Sequence, residues 1–293
     1  LSASGNGGDI SVATGYSEGT SSGSFTFKTS DAGKDGVSGG FQMTTGSSTA
    51  GDSGSLSFLS GTARNGKSGF IRIVIGSGNT GTGGDVSLAS GETTDTASGG
   101  MFSLSTGAST KTSSGNLYFA TANAGTAGVS GSIQLNTGTA SAGTSGSMTF
   151  NTGHATGGKG GDIVVSVGAG NTGVGGDVSM TAGESNSESG GSMTLRTGYS
   201  TKSSSGNLFI STPNAGASGV SGTVQMQTGS ASAGTSGSFM MTTGDATSGK
   251  GGDITINIGT GNAGDGGDYS LVAGTTTGAN GDGGSITVTA GHS

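Results

Sequence analysis

The chain has 293 residues, of which 68 are glycine, one is proline and none is cysteine or tryptophan; 28% are hydrophobic, 9% are charged and the net charge is -7. The lack of cysteine excludes a disulfide framework and cysteine-ligated metal, and an acidic chain with ten Lys plus Arg is a poor match for nucleic acid. No apolar run approaches the roughly eighteen residues that a membrane span needs.

So little hydrophobic content usually accompanies disorder, but disorder does not require strict spacing, and this chain has it. From Gly8 onward one unit repeats: G-x-h-x-h-x-x-G, with h apolar, and then about seven small residues. The unit is 15 residues long, with occasional units of 16 and one of 17. The first apolar column opens Ile10, Phe25, Phe41, Leu56 and closes Tyr269, Ile286. The second opens Val12, Phe27, Met43, Phe58 and closes Leu271, Val288. All nineteen entries of both columns are apolar, and the residue two before each first-column member is always glycine, from Gly8 to Gly284.

Apolar residues at alternate positions predict a strand with one buried face, and fifteen residues cannot bury that face alone. The expected fold is therefore all-β: a single flattened parallel β-solenoid of about 19 coils, each about 15 residues, with strands about 4.8 Å apart and a rod about 90 Å long. Its corners are expected at the glycine before each apolar pair and at a second glycine such as Gly46, Gly138 or Gly229, positions where φ > 0 suits glycine. The third inward column is mostly threonine (Thr14, Thr29, Thr45, Thr106, Thr137, Thr152, Thr228, Thr243) and predicts a hydroxyl ladder at the edge of the core.

Every sixth unit is alike, giving a super-repeat of 91–92 residues and blocks of about 7–98, 99–189 and 190–282, then one further unit at 283–293. In the first block, SGSFTFKTSDAGKDGVSG from Ser22 replaces the second corner glycine by Ser30 and carries an extra residue; Gly76-Ser77-Gly78-Asn79-Thr80-Gly81 follows later. In the second block the equivalents are SGNLYFATANAGTAGVSG from Ser114, with Ala122 at the corner and Tyr118 facing outward, and Gly168-Ala169-Gly170-Asn171-Thr172-Gly173. In the third they are SGNLFISTPNAGASGVSG from Ser205, with Pro213 at the corner and Phe209 outward, and Gly259-Thr260-Gly261-Asn262-Ala263-Gly264.

The G-x-G-x-x-G loops match a dinucleotide-binding fingerprint. That fingerprint requires a helix to start at the last glycine and hold the pyrophosphate at its N-terminus. Here the second loop continues VGGDVSMTAGES, rich in glycine and of period two, and the loop recurs three times. Architecture, with no cofactor, is the expectation.

Asp9, Asp85, Asp162, Asp177, Asp253 and Asp268 share one unit position, in GGD corners. Asp162 with Asp177, and Asp253 with Asp268, lie in adjacent units and are the calcium candidates, since stacked carboxylates repel unless a cation lies between them. The plainer expectation is turn hydrogen bonding by the Asp side chains, with Lys159 and Lys250, three residues earlier, balancing the charge. His154 and His292 sit just after second-corner glycines with no nucleophile or acid at a recognisable spacing, so the expectation is not an enzyme and no metal site beyond the calcium candidates. Tyr118 and Phe209 are interface candidates, because outward aromatics in matching units suggest lateral contact. There is no N-x-[ST] sequon, whereas the many exposed Ser and Thr offer attachment points for surface glycan. With no capping element at either end, the chain is expected to continue head to tail, in a longer array or through its own copies.

The units GGDI-x-h-x-x-G and SGS-h-x-h-x-TG resemble Gly/Ser/Thr-rich repeats of very large cell-surface proteins of microalgae and bacteria. The resemblance implies an extracellular or cell-surface structural or adhesive role and carries over no functional residue. The GGD corners faintly resemble the calcium-binding nonapeptide of bacterial RTX solenoids, with a period of 15 rather than nine. The 15-residue unit also resembles some ice-binding solenoids, but an ice face needs a regular outward threonine array, and here Arg72, Tyr118 and Phe209 interrupt it. The function expected is a structural repeat segment of an extracellular filament or cell-surface fibre that assembles with its own copies. Ice binding is the alternative and a calcium-dependent adhesin the second.

Overall fold

The computed structural model describes residues 6–291. His292 lies outside the described residues. The chain divides into two units, Leu1–Thr149 and Phe150–Ser293.

Neither unit is a β-solenoid. Among the described residues there is no helix and no strand, which corrects the all-β expectation. Backbone hydrogen bonding among them is confined to eight bonds, all between glycines and all local, where a folded chain carries about two backbone–backbone bonds for every three residues. No side chain among the described residues is buried. The reason is physical. Period-two alternation records which side of a segment each residue occupies, but it does not bring a second segment within hydrogen-bonding distance. Two large apolar residues per unit are few against the entropy of ordering fifteen mostly small residues.

The repeat nevertheless has a regular local geometry. Each repeat before the last one, 283–293, carries one bend or tight turn within its run of small residues. In the first unit these include residues 18–20, 49–51, 64–66, 79–81 and 94–97; in the second, 156–158, 171–173, 186–188, 201–203 and 232–234. The bend folds the small-residue run back on itself and closes it at a neck. At the neck, the glycine two before each apolar pair meets the third-column residue of the preceding unit. In the first unit of the chain, a Cβ built on Gly23 would lie 3.3 Å from Thr14 Cβ, and one on Gly54 3.5 Å from Thr45 Cβ. In the second, one on Gly161 would lie 3.2 Å from Thr152 Cβ, and one on Gly252 3.2 Å from Thr243 Cβ.

This contact explains the invariant glycine, and it differs from the corner argument. None of the glycines before the apolar pairs has a positive φ; the positive-φ glycines are Gly51, Gly81, Gly143, Gly234 and Gly264, each closing a bend. The neck glycines are needed for space, and the bend glycines for the left-handed backbone. Threonine of the third column faces glycine rather than another threonine, so the expected ladder is replaced by Thr–Gly necks; at one of them the Thr212 hydroxyl donates to the Gly222 carbonyl at 3.1 Å.

The super-repeat is visible in this local geometry. The neck bond from Gly23 N–H to Gly15 O recurs 92 residues on as Gly115 N–H to Gly107 O and 91 further on as Gly206 N–H to Gly198 O; those from Gly100 to Gly91, Gly191 to Gly183 and Gly284 to Gly274 form a second set, their donors spaced by 91 and 93 residues. In the second set the third-column residue is Ser90, Ala182 or Ala273, where the first set has Thr14, Thr106 or Thr197. The units with the extra residue use it to make a tight turn: Gly36 N–H bonds Gly33 O at 3.3 Å and Gly219 N–H bonds Gly216 O at 3.2 Å.

Candidate functional site

The two apolar columns remain the dominant chemical feature of each unit. Alternation survives in their exposure: Leu208 and Ile210 are 58% and 57% exposed, and Phe209 between them is 85% exposed. Column residues are thus partly shielded on one side of their segment, and nothing covers the other. In the first unit Phe25 and Phe27 meet edge to face with ring centroids 4.6 Å apart, and Phe27 and Phe41, from successive repeats, lie at 5.8 Å. Both distances fall in the range of favourable aromatic pairs.

The whole chain exposes 29110 Å². A compact monomer of its 27.3 kDa mass would expose about 11,000 Å², and its fully extended chain about 40,000 Å². The columns therefore stay largely in water, where each square ångström of apolar surface is unfavourable by about 25 cal/mol.

Two of the six GGD aspartates, Asp162 and Asp253, take part in local charge pairing. Lys159 Nζ donates to Asp162 Oδ2 at 2.7 Å, and Lys250 Nζ donates to Asp253 Oδ2 at the same distance. Both are i,i+3 pairs with well-exposed side chains, so sequence proximity rather than burial holds them. Asp177 and Asp268 have Val174 and Asp265 where the lysine would stand. Among the described residues no three His, Cys, Asp or Glu side chains come together as a metal-binding group. The structure therefore places Asp162 and Asp253 in ion pairs and does not gather either with Asp177 or Asp268 into a coordinating cluster.

Tyr118, in the first unit, and Phe209, in the second, are each 85% exposed. Each precedes a neck formed in its own unit, Thr121 with Gly131 and Thr212 with Gly222. His154 is exposed beside the bend at 156–158. The three G-x-G-x-x-G segments form the bends at 79–81, 171–173 and 262–264, and the residues after them continue without a helix. At Gly170 a Cβ would stand 2.8 Å from the Val174 carbonyl oxygen, so this glycine lets the loop fold onto its own backbone.

Two features were not anticipated from the sequence. One is a hollow of about 370 Å³ in the second unit, lined by Leu195, Thr197, Tyr199, Leu208 and their neighbours, where the neck of Thr197 and Gly206 draws column residues of successive repeats to one place. The other is a serine that organises matching bends. Ser17, Ser109 and Ser200 each accept a backbone N–H from three residues on, at 2.9–3.0 Å. The signal was present as a serine recurring at the super-period, but serine is too common here to stand out.

Among the described residues no helix is long and apolar enough to cross a membrane. No protein-family model, no curated protein and no solved structure matches the chain.

Proposed function

We propose that this chain is a structural repeat segment of an extracellular filament or cell-surface fibre, and that its working partner is other copies of itself. The observation that carries this reading is the pair of unbroken apolar columns with nothing over them: regular spacing puts apolar surface at the same place in every repeat, and the single chain leaves it in water. A partner with the same 15-residue spacing meets that surface repeat after repeat, and the partner certain to have that spacing is a second copy. Interfaces of about 1,600 Å² already support stable complexes, a small part of the surface this chain leaves exposed. The small, chemically plain residues between the columns suit a material exposed to solvent and proteases, and the resemblance to cell-surface repeats supports the same setting. The test is imaging of purified chain across a concentration series. Fibres that lengthen with concentration support the reading, and dispersed single chains at every concentration remove it.

A further inference from the structure

We propose that Asn65 and Asn280 are sites of spontaneous backbone modification, each losing its side-chain amide through a cyclic imide to leave aspartate or isoaspartate, with Asn65 reacting first. In this chemistry the deprotonated backbone nitrogen of the following residue attacks the asparagine Cγ. A C–N bond forms, the side-chain nitrogen leaves as ammonia, and water then opens the imide at either carbonyl. The sum is amide plus water giving carboxylic acid plus ammonia, with no oxidant or reductant. Three things oppose it: a side chain on the following residue, a hydrogen bond that occupies its N–H, and neighbours that hold the backbone still.

All three are absent at Asn65. It is exposed at the middle of the bend at 64–66, and Gly66 follows. Nothing lies within 4 Å of the place a Cβ on Gly66 would take. Among the described residues, no backbone carbonyl accepts a hydrogen bond from the Gly66 N–H. Asn280 has the same following residue but a more confined one. It lies in the turn at 279–280; Thr276 Oγ1 stands 3.1 Å from where a Cβ on Gly281 would be and accepts the Gly278 N–H at 3.2 Å. The remaining Asn–Gly pair, Asn6–Gly7, adjoins residues outside the description.

The chain carries its own controls. Asn79, Asn171 and Asn262 also sit in bends but are followed by Thr80, Thr172 and Ala263. Modification at Asn65 would set a new carboxylate beside Arg64 and two residues from Lys67, in a chain whose net charge is already -7. The isoaspartate product also adds a methylene to the backbone of the bend that closes its repeat.

The experiment is incubation of the full chain in heavy-oxygen water at mildly alkaline pH, with peptide mapping by mass spectrometry. The expected result is labelled acid and isoaspartate at Asn65 first, then at Asn280, both several-fold ahead of Asn79, Asn171 and Asn262. Gly66→Ala is expected to slow Asn65 several-fold and leave Asn280 unchanged. Conversion at Asn65 no faster than at Asn79, or insensitive to Gly66→Ala, would overturn the proposal. Conversion at Asn280 ahead of Asn65 would overturn the order assigned to the Thr276 contact.

Discussion

Gly176 stands directly against Val167: a Cβ on the glycine would lie 2.7 Å from Val167 Cγ1, closer than side chains tolerate. The same tight neck recurs at Gly84 against Ile75 and at Gly267 against Ile258. Gly176→Ala is expected to push the Val167 side chain off its present rotamer, at about 0.5–1.5 kcal/mol, read as a lower urea midpoint for dissociation of assembled chains. Adding Val167→Ala should recover most of the loss, since contacting residues couple in a double-mutant cycle. Gly237→Ala, whose Cβ would sit 3.6 Å from Thr228 Cβ, is expected to change the midpoint much less. Equal effects at Gly176 and Gly237 would separate the invariant glycine from neck packing.

A second glycine comparison separates space from backbone conformation. Gly143 has φ 114 and Gly234 has φ 138, whereas Gly138 and Gly229 are not among the positive-φ glycines, and Gly138 and Gly229 have nothing within 4 Å. Alanine at Gly143 or Gly234 is expected to strain its bend by about 1 kcal/mol or more, and alanine at Gly138 or Gly229 to be close to neutral. Backbone chemical shifts across residues 141–143 should move in Gly143→Ala and hold in Gly138→Ala. The reverse pattern would return the left-handed backbone to the corner glycines.

Much of this was legible in the sequence and some was not, and the division follows the physics. The apolar columns, the unit length and the six-unit period could be read directly, because side-chain spacing and glycine placement are local properties; the bends recur once per unit as that spacing implies. Ion pairs at Lys159–Asp162 and Lys250–Asp253 were within reach for the same reason, since three residues of chain hold the partners together. Strand pairing was not legible. Phe25 and Phe27 share a face by alternation alone, but whether Phe41 pairs with them through backbone hydrogen bonds depends on a balance between apolar burial and chain entropy that no spacing records. The role of the invariant glycine was misread because a missing Cβ serves both positive φ and close approach, and only geometry tells them apart.

The columns are expected to set how readily the chain assembles. Phe27 touches Phe25 and Phe41, so Phe27→Ser removes the centre of an aromatic cluster. Losing one large buried apolar group is worth about 1.5–3 kcal/mol, which corresponds to a rise of about tenfold or more in the concentration needed for assembly. Phe27→Leu should retain most of the wild-type behaviour. An unchanged assembly concentration in Phe27→Ser would exclude this column from the interface.

The aspartate pairs are expected to be electrostatically minor and independent of calcium. Lys159 and Asp162 are both well exposed, and exposed pairs add little and are screened by salt. Lys159→Gln and Lys250→Gln together should leave the concentration needed for assembly unchanged at physiological salt, and that concentration should be the same with added calcium and with chelator. Assembly promoted by calcium and reversed by chelator would instead assign Asp162, Asp177, Asp253 and Asp268 to a cation.

Sedimentation velocity of the purified chain, followed from low to high concentration, tests the central claim most directly. Self-association through the apolar columns predicts a sedimentation coefficient that climbs with concentration without levelling at a dimer, as repeats on each added copy offer the same surface again. A single slow species at every concentration, with the apolar columns still in water, would contradict it.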